Sequence, residues 1–553
     1  MKKQLFLFLY AAVTSIAASA QTYLWVPTDD RYALPSRVDI TGSDSVLFSE
    51  RNMRVYREGK ALSYTYSSLL SFGSKADSSA AMRLGIPDRA IWKPTTSDNN
   101  YNNDYNNPES QWSFKRSQES EHVIVYWDKR FGDNPNASTV PSNLRVNVDD
   151  LLKKAEQFYA TNVEKLQMAT LGAGTSRLDD YKMIIHLLYD DGWTAVGSGY
   201  DDMIGALWVT PSTCHPVGST IAHETGHCFQ YQVAADYRKQ GVTNYTQRGW
   251  RYGYGSNGGG GNAFWEQCAQ WQAMQDYPAE AFGYHLDVWK QNYHRHLCHE
   301  WMRYASYWWP YALTEKYGYA AYGRLWRESK YPEDPLQTYM RLFCDNHLDT
   351  FWDEYWTEYA AKLPNYQFAD VHKYANSLSY KNYPINMNLN EDGSWQVAYA
   401  SCPETSGVNI IRLSVPQTTG TEVTADFVGL DPGSPLHASD PGKSWNGDPA
   451  DGANASKFTK MTTYNTAGAA SNKGWRYGFV AIVDDETVAS APFHDAEGTA
   501  SFTIPANTQR LYFVVVGAPT KYGRHAWDET DGNDQQWPYR VRFGNTHRMG
   551  YQN

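Results

Sequence analysis

Two histidines, His223 and His227, stand four positions apart in the segment GSTIAHETGHCFQYQV, and Glu224 directly follows the first of them. On an α-helix, positions i and i+4 lie on one face, so both imidazoles can point at a single cation. Two imidazole ligands on one helix face suit Zn²⁺, which binds nitrogen donors in tetrahedral geometry. The spacing therefore predicts a metal-binding helix, around which the rest of its domain has to fold.

Glu224 lies beside the predicted metal without having to ligate it. From there it can take a proton from the attacking water and give it to the leaving amine. A catalytic zinc site keeps three protein ligands and one open position. Glu266, in the helix-compatible segment GNAFWEQCAQWQAMQ, is the candidate third ligand. The glycine-rich stretch before it can either leave open space in front of the metal or let the backbone approach a substrate. The alternative interpretation of Glu266 is a solvated helix carboxylate.

HETGH followed at a distance by WEQCA resembles the gluzincin-type zinc metallopeptidases, the thermolysin-like and aminopeptidase-like group. The resemblance implies that His223, His227 and Glu266 are zinc ligands and that Glu224 is the general base. It also implies that the segment GALWVTP, residues 205–211, is the edge strand along which an extended substrate pairs.

Two features depart from that pattern. Gln270 stands where thermolysin-like enzymes have an aspartate that orients a ligand histidine, so other residues must do this here. No Gly-x-Met-Glu-Asn segment of the aminopeptidase kind is found, which disfavours a simple exopeptidase. The whole chain also resembles an uncharacterised family of secreted bacterial proteins that share the HETGH core and a C-terminal β-sandwich.

A metallopeptidase also needs a group that stabilises the oxyanion. The segment CHEWMRYASYWWPYALTEKYG is predicted to be helical as far as Pro310, with Arg303, Tyr304 and Tyr307 on one face. Tyr304 is the predicted oxyanion-stabilising residue. The alternative for each of these side chains is an aromatic helix packed into the core.

Three further histidines, His294, His296 and His299, stand close enough in sequence for a separate metal site. Their segment reads as helical and no matching carboxylate pattern accompanies it, which disfavours that site. Cys228 and Cys268 lie near predicted ligands, but such cysteines are more often small buried residues. Six cysteines in the chain would allow three disulfides, and the sequence favours no pairing.

Residues 1–20 have the layout of a cleavable export signal, with two lysines, an apolar run and Ala-Ser-Ala at the end. No later segment offers the roughly 18 uninterrupted apolar residues of a membrane-spanning helix. We therefore expect a secreted protein, in the periplasm, at the cell surface or in the medium. A formal charge of −11, without any lysine-rich or arginine-rich run, argues against nucleic acid as a partner.

Composition shifts divide the mature chain. Residues 21–94 alternate short apolar and polar stretches, which predicts a small β-rich module, and residues 95–112 are a polar linker rich in Asn, Asp, Ser and Thr. Residues 113–380 mix strand-like and helical segments and form the predicted zinc metallopeptidase domain. Residues 385–553 predict an antiparallel β-sandwich. The expected fold class is multidomain α+β, with a gluzincin-like domain between two β modules.

The sequence thus predicts a secreted zinc-dependent endopeptidase that cleaves protein or glycoprotein substrates. Aromatic residues make up 15% of the chain, which suits either packed cores or sugar-stacking surfaces, so glycans are a second candidate partner through the β-sandwich. The alternative function is a non-catalytic surface glycan-binding or adhesive protein that retains the zinc site. A zinc hydrolase acting on a non-peptide bond is a third. Glu224 favours an enzyme, because a binding protein has no use for a general base.

Overall fold

The structure is a computed structural model, and it describes residues 21–26, 33–34, 36–39, 45–48, 52–57, 60–65, 71–75, 89–94, 103–244, 247–252, 262–445, 458–525 and 534–550. The predicted signal peptide, residues 1–20, lies outside the described residues. The fold is multidomain α+β with several antiparallel sheets. It divides into two compact units, which are residues 1–163 with 169–241 (unit 1) and residues 164–168 with 242–553 (unit 2). Among the described helices, none is long and apolar enough to cross a bilayer.

The N-terminal strands of unit 1 form three small sheets with antiparallel pairing. They are β1 (Gln21–Val26), β2 (Ala33–Leu34), β3 (Ser36–Asp39), β4 (Ser45–Phe48), β5 (Asn52–Arg57), β6 (Lys60–Thr65), β7 (Ser71–Lys75) and β8 (Ile91–Trp92). β1 pairs with β3 and β7, β5 pairs with β4 and β6, and β2 pairs with β8. These strands lie where the alternating sequence predicted a β-rich module.

The end of that predicted module packs onto the residues that follow. Ala90 N donates to Asp180 O at 2.8 Å, and Trp92 Nε1 donates to Asp201 Oδ2 at 2.7 Å. The Trp92 ring also meets the ring of Tyr181 edge-on, with centroids 5.3 Å apart. Residues 90–92 therefore contact the main sheet region of unit 1.

In the described part of the predicted polar linker, Asp104 and residues 106–109 are exposed, as a solvated segment requires, but two aromatic side chains are buried. Tyr105 and Trp112 are only 3% and 1% exposed, and both rings contact the buried ring of His186. Tyr105 and Trp112 bury apolar surface in this segment, which the surrounding Asn and Asp residues cannot do. Burial lowers the pKa of His186 to about 3, so the ring is neutral within this aromatic cluster.

The main sheet of unit 1 has five strands in the order β12-β13-β11-β10-β9. Their bounds are β9 (Ser117–Glu119), β10 (Val123–Trp127), β11 (Met183–Leu187), β12 (Ala195–Tyr200) and β13 (Ile204–Val209). The central strands β10, β11 and β13 are parallel, whereas β9 and β12 run antiparallel to their neighbours. β10 and β11 are wholly buried, as their apolar runs predict.

Two helices of unit 1 pack near this sheet, α1 (Val148–Ala160) and α2 (Ser219–Lys239). The side chain of Asn147 caps α1 by accepting from the backbone N–H groups of Asp149 and Asp150. The buried face of α1 includes Leu151, Ala155 and Phe158, whose i, i+4, i+7 spacing places them on one side of a helix. α2 contacts both β12 and β13.

The position of the GALWVTP segment corrects one expectation. β13, which this segment forms, lies between β11 and β12, so it is not an edge strand. The edge on that side is β12, whose sequence AVGSGY contains two glycines and lacks the apolar run of a typical buried strand.

Unit 2 begins with helices and ends with sheets. Its helices are α3 (Asn262–Met274), α4 (His285–Asn292), α5 (Trp309–Tyr317), α6 (Ala320–Arg327), α7 (Pro335–Phe343) and α8 (Leu348–Glu354). A turn of π-helix, Tyr355–Ala360, continues α8. Asp334 starts α7 through a capping box with Gln337.

The C-terminal strands form two main antiparallel sheets, ordered β14-β15-β24-β17-β22 and β16-β23-β20-β21, and a β18-β19 pair. Their bounds are β14 (Met387–Leu389), β15 (Trp395–Val397), β16 (Val408–Leu413), β17 (Glu422–Gly429), β18 (Lys443–Trp445), β19 (Phe458–Lys460), β20 (Trp475–Val483), β21 (Glu486–Ala489), β22 (Glu497–Thr503), β23 (Thr508–Gly517) and β24 (Tyr539–Gly544). Phe427 of one sheet stacks on Tyr477 of the other with ring centroids 4.1 Å apart, so the sheets share one core.

The helices of unit 2 pack directly on the second of these sheets. Trp352 Nε1 donates to Pro519 O at 3.0 Å, and Trp356 Nε1 donates to Val514 O at 3.3 Å. Both tryptophans are fully buried. The sequence predicted a domain boundary near residue 380, whereas the structure places these helices and sheets in one compact unit.

Candidate functional site

Helix α2 brings His223 and His227 together on one face, as their spacing predicts. Their ring centroids lie 4.7 Å apart. His223 is 7% exposed and His227 is partly exposed, so the pair lies at the boundary between core and solvent. Such a position suits a metal site that a substrate must reach.

The side chain of Gln230 orients the ring of His227. Nδ1 of His227 lies 3.0 Å from Gln230 Oε1, and an amide oxygen only accepts hydrogen bonds, so Nδ1 carries the ring proton. Nε2 of His227 is then the unprotonated nitrogen that a metal requires. In thermolysin-like enzymes an aspartate orients a ligand histidine, and Gln270 stands at that position here. Gln230, on α2 itself, makes the contact that orients His227.

We expect replacement of Gln230 by Met to weaken zinc binding by about 10- to 100-fold, because the ring of His227 loses the acceptor that sets its tautomer. Methionine keeps the length of the side chain. Competition with a chromophoric chelator measures the zinc affinity. A control variant, Gln240→Met at the end of the same helix, should bind zinc as the wild type does.

The carboxylate of Glu224 is held by the edge strand. Its Oε2 accepts a hydrogen bond from Gly197 N at 2.6 Å, and the residue is 7% exposed. A backbone donor fixes the direction of the carboxylate without adding a second titrating group. This arrangement suits a proton acceptor that must keep one orientation.

Glycines of the neighbouring strands allow α2 to come this close. A Cβ atom at Gly197 would lie 2.1 Å from Glu224 O and 2.8 Å from His227 Cβ. A Cβ at Gly205 would lie 2.9 Å from Cys228 Cβ. The strands therefore have to present bare backbone to the helix that carries the histidines.

Glu266, the predicted third ligand, lies on α3 in unit 2 and is partly exposed. Its neighbours Gln267 and Cys268 are fully buried, and Gln267 Nε2 donates to Leu297 O at 3.1 Å. This packing anchors one face of α3. Gln270, one turn further along, is also partly exposed.

The segment around Tyr304 is not the predicted continuous helix. A short 3₁₀ helix spans Glu300–Met302, turns follow, and α5 begins at Trp309 with Pro310 in its first turn. Proline is well tolerated at the start of a helix, so Pro310 marks a beginning where the sequence analysis expected an end.

The two tyrosines of this segment differ in exposure. Tyr304 is 39% exposed and its ring stacks on that of His285, with centroids 5.7 Å apart. Tyr307 is fully buried, its hydroxyl donates to Ala281 O at 2.7 Å, and burial raises its pKa above the usual value. Of the two, Tyr304 keeps the exposure that a substrate-contacting residue needs.

All six cysteines lie within the described residues, and each is a buried residue outside any disulfide. Burial raises the pKa of the thiols of Cys228 and Cys268 far above neutral pH. Both side chains are therefore protonated thiols and do not offer a thiolate to a metal. Their role is packing, as the sequence analysis favoured.

A second cluster of titratable groups lies within unit 2. One ligand atom each from His299, Glu404 and Asp534 lie within 4.8 Å of one another, and all three residues are buried. The sequence around His299 lacks a matching carboxylate pattern, which disfavoured a metal site there. The carboxylates come from positions more than one hundred residues away, where no local pattern could reveal them.

A guanidinium already supplies positive charge to this cluster. Arg295 Nη1 lies 3.0 Å from His299 Nε2 and 3.4 Å from Glu404 Oε1. A metal ion bound by these groups would have to displace Arg295. We therefore interpret the cluster as a buried ion network and assign it no metal.

Comparison with known proteins gives one match. The model of DUF6055, described as a family of unknown function, matches residues 86–550. No curated protein and no solved structure matches the chain. The match begins just before Ala90 and Trp92, which contact the main sheet region of unit 1, and it extends over both units.

Proposed function

This chain belongs to DUF6055, a family of unknown function, and we propose that it is a secreted zinc-dependent endopeptidase acting on protein or glycoprotein substrates. The observation that carries the proposal is the arrangement on α2. His223 and His227 share a face, and between them in sequence Glu224 is held by the backbone of Gly197. A binding protein would gain nothing from a buried carboxylate oriented in this way.

His223, His227 and Glu266 would hold the zinc in this proposal. Two imidazole nitrogens and one carboxylate form the donor set of catalytic zinc sites with an open fourth position. The contact between His227 Nδ1 and Gln230 leaves Nε2 unprotonated, which fits a zinc ligand. Zinc bound there would polarise the substrate carbonyl and acidify water.

The protein groups then have separate roles. Glu224, with Oε2 on Gly197 N, uses Oε1 to take a proton from the attacking water and to return it to the leaving amine. We propose Tyr304 as the donor that stabilises the oxyanion. β12, at the edge of its sheet, offers backbone groups with which an extended peptide can pair, which supports cleavage within a chain.

Metal content is the first test of this function. We expect about one zinc ion per chain in the wild type, and loss or strong weakening of zinc binding in Glu266→Ala, because two histidines alone bind zinc poorly. Elemental analysis of the two purified proteins measures this. Glu280→Ala, which removes an exposed carboxylate from unit 2, is the matched control and should keep its zinc.

Each result of this test is informative. Zinc in the wild type and in Glu280→Ala, but not in Glu266→Ala, supports the three-ligand site. Undiminished zinc binding in Glu266→Ala would exclude Glu266 as the third ligand. A wild type that contains no zinc and takes up none on addition would overturn the hydrolase, and a glycan-binding or adhesive protein would then remain only without its zinc site.

A further inference from the structure

Unit 2 contains a cavity of about 280 Å³ next to the buried ion network. Small-molecule sites in proteins span roughly 300–1,000 Å³, so this cavity suits one compact group rather than an extended peptide. Its wall includes Arg295, Glu404 and Asp534 of the network. The zinc proposal uses none of these residues.

The charged groups in the wall are held in place. Glu404 Oε2 accepts from His296 N at 2.8 Å, while Arg295 Nη1 lies 3.4 Å from Glu404 Oε1. Asp534 lies 3.4 Å from His299 Nε2 through Oδ2 and 3.3 Å from His525 Nε2 through Oδ1. Glu404 is 2% exposed and Asp534 is 5% exposed. A wall this rigid is organised before any ligand arrives, which lowers the entropic cost of binding.

The protonation of the wall gives it both donors and acceptors. Burial and the charge of Asp534 raise the pKa of Glu404 to about 7, so this carboxyl can donate as well as accept near neutral pH. Burial opposes ionisation of Asp534, but His299 and His525 outweigh it and hold the pKa of Asp534 well below its usual range. Asp534 is therefore a constant acceptor.

The remaining lining is polar and aromatic. Gln291, Asn292 and Asn465 contribute amide side chains to the lining, and Trp301 contributes a partly exposed aromatic ring. Lys443, which is exposed, also lines the cavity. Val288 and Ala400 are the aliphatic residues of the lining. The charges are mixed in sign, so neither a strong anion nor a strong cation is favoured.

We propose that this cavity binds a saccharide residue. Each sugar hydroxyl both donates and accepts a hydrogen bond, which fits a wall of carboxyl, guanidinium and amide groups. The C–H faces of a sugar ring fit aromatic surface, which the partly exposed ring of Trp301 provides at the cavity. The guanidinium of Arg295 lies over this ring, 4.8 Å from its centroid. The site lies within unit 2 and shares no residue with the proposed zinc ligands, so it goes beyond the proposed peptidase activity. It gives the protein a means to hold a glycan.

Direct titration of the full secreted chain tests the proposal. The probes are glucose, galactose, mannose, N-acetylglucosamine and N-acetylgalactosamine, each followed by ligand-observed NMR and calorimetry. We expect at least one of them to bind with a Kd of about 1 mM or tighter. The double variant Gln291→Ala/Lys443→Ala, at exposed positions of the lining, should weaken that binding about tenfold. Glu404→Gln should weaken it further.

Lys460→Ala is the matched control, because Lys460 pairs with Lys443 across β18 and β19 and is equally exposed but does not line the cavity. It should bind as the wild type does. The proposal is overturned if none of the five sugars binds, or if the folded double variant binds as tightly as the wild type. Glu224→Gln should retain saccharide binding in full, so failure of the peptidase proposal and failure of this one give different results.

Discussion

Replacement of Glu224 by Gln should lower peptide-bond hydrolysis by about a thousandfold while leaving the zinc content unchanged. Glutamine keeps the shape of the side chain, and its amide oxygen can still accept from Gly197 N, where Glu224 Oε2 accepts at 2.6 Å. It cannot take the proton from water. Mass spectrometry of an unfolded protein substrate after digestion, with metal analysis of the same preparation, measures both quantities.

Glu121→Gln is the control, because Glu121 is exposed in unit 1 and the same chemical change there should alter neither zinc nor activity. A fully active Glu224→Gln protein would show that another residue is the base. Loss of zinc in this variant would instead mean that Glu224 supports the metal site. A zinc-loaded wild type that cleaves no protein or glycoprotein would favour the alternative of a zinc-containing binding protein.

The elements that sequence predicted well are those with a strong local period. The i, i+4 spacing of His223 and His227 requires a helix if both bind one metal, and α2 is that helix. The apolar runs of β10 and β11 predicted buried strands, and each of their residues is buried. In these segments the residue pattern along the chain already matches the burial seen in the fold. Their secondary structure can therefore be predicted without knowing which distant residues they contact.

Glycine-rich and proline-containing segments were interpreted wrongly because their signals are ambiguous. β12 has two glycines where apolar side chains would mark a strand, and their purpose is visible only against α2. The edge role had been assigned to β13 through the resemblance to gluzincins, and the structure gives it to β12 instead. Pro310 was interpreted as a helix end, although it occupies the first turn of α5.

The division into units and the second cluster depend on contacts between distant parts of the chain. β20 and β23 are buried almost throughout, which indicates two covered faces, and Trp352 and Trp356 pack against that sheet region. The ion pair between Arg295 and Glu404 could not be predicted from the sequence, because no local pattern links two residues so far apart in the chain.

Replacement of Gly197 by Ala should destabilise unit 1 by about 3 kcal/mol and lower hydrolysis about a hundredfold. The added Cβ would meet Glu224 O at 2.1 Å, and that atom is helix backbone, which cannot turn aside as a side chain can. β12 and α2 would have to separate. The separation would break the hydrogen bond from Gly197 N to Glu224 and move His227, which lies 2.8 Å from the added atom.

Chemical denaturation followed by fluorescence measures the stability, and zinc affinity and hydrolysis are measured on the same protein. Val196→Ala is the matched control on β12, because Val196 is 49% exposed and its truncation should change the free energy of unfolding by less than about 0.5 kcal/mol. If Gly197→Ala is as stable and as active as this control, α2 and β12 do not pack as closely as described. There would then be no reason to expect that the hydrogen bond from Gly197 N orients Glu224. A stable Gly197→Ala protein that has lost only hydrolysis would instead locate the effect in the orientation of Glu224.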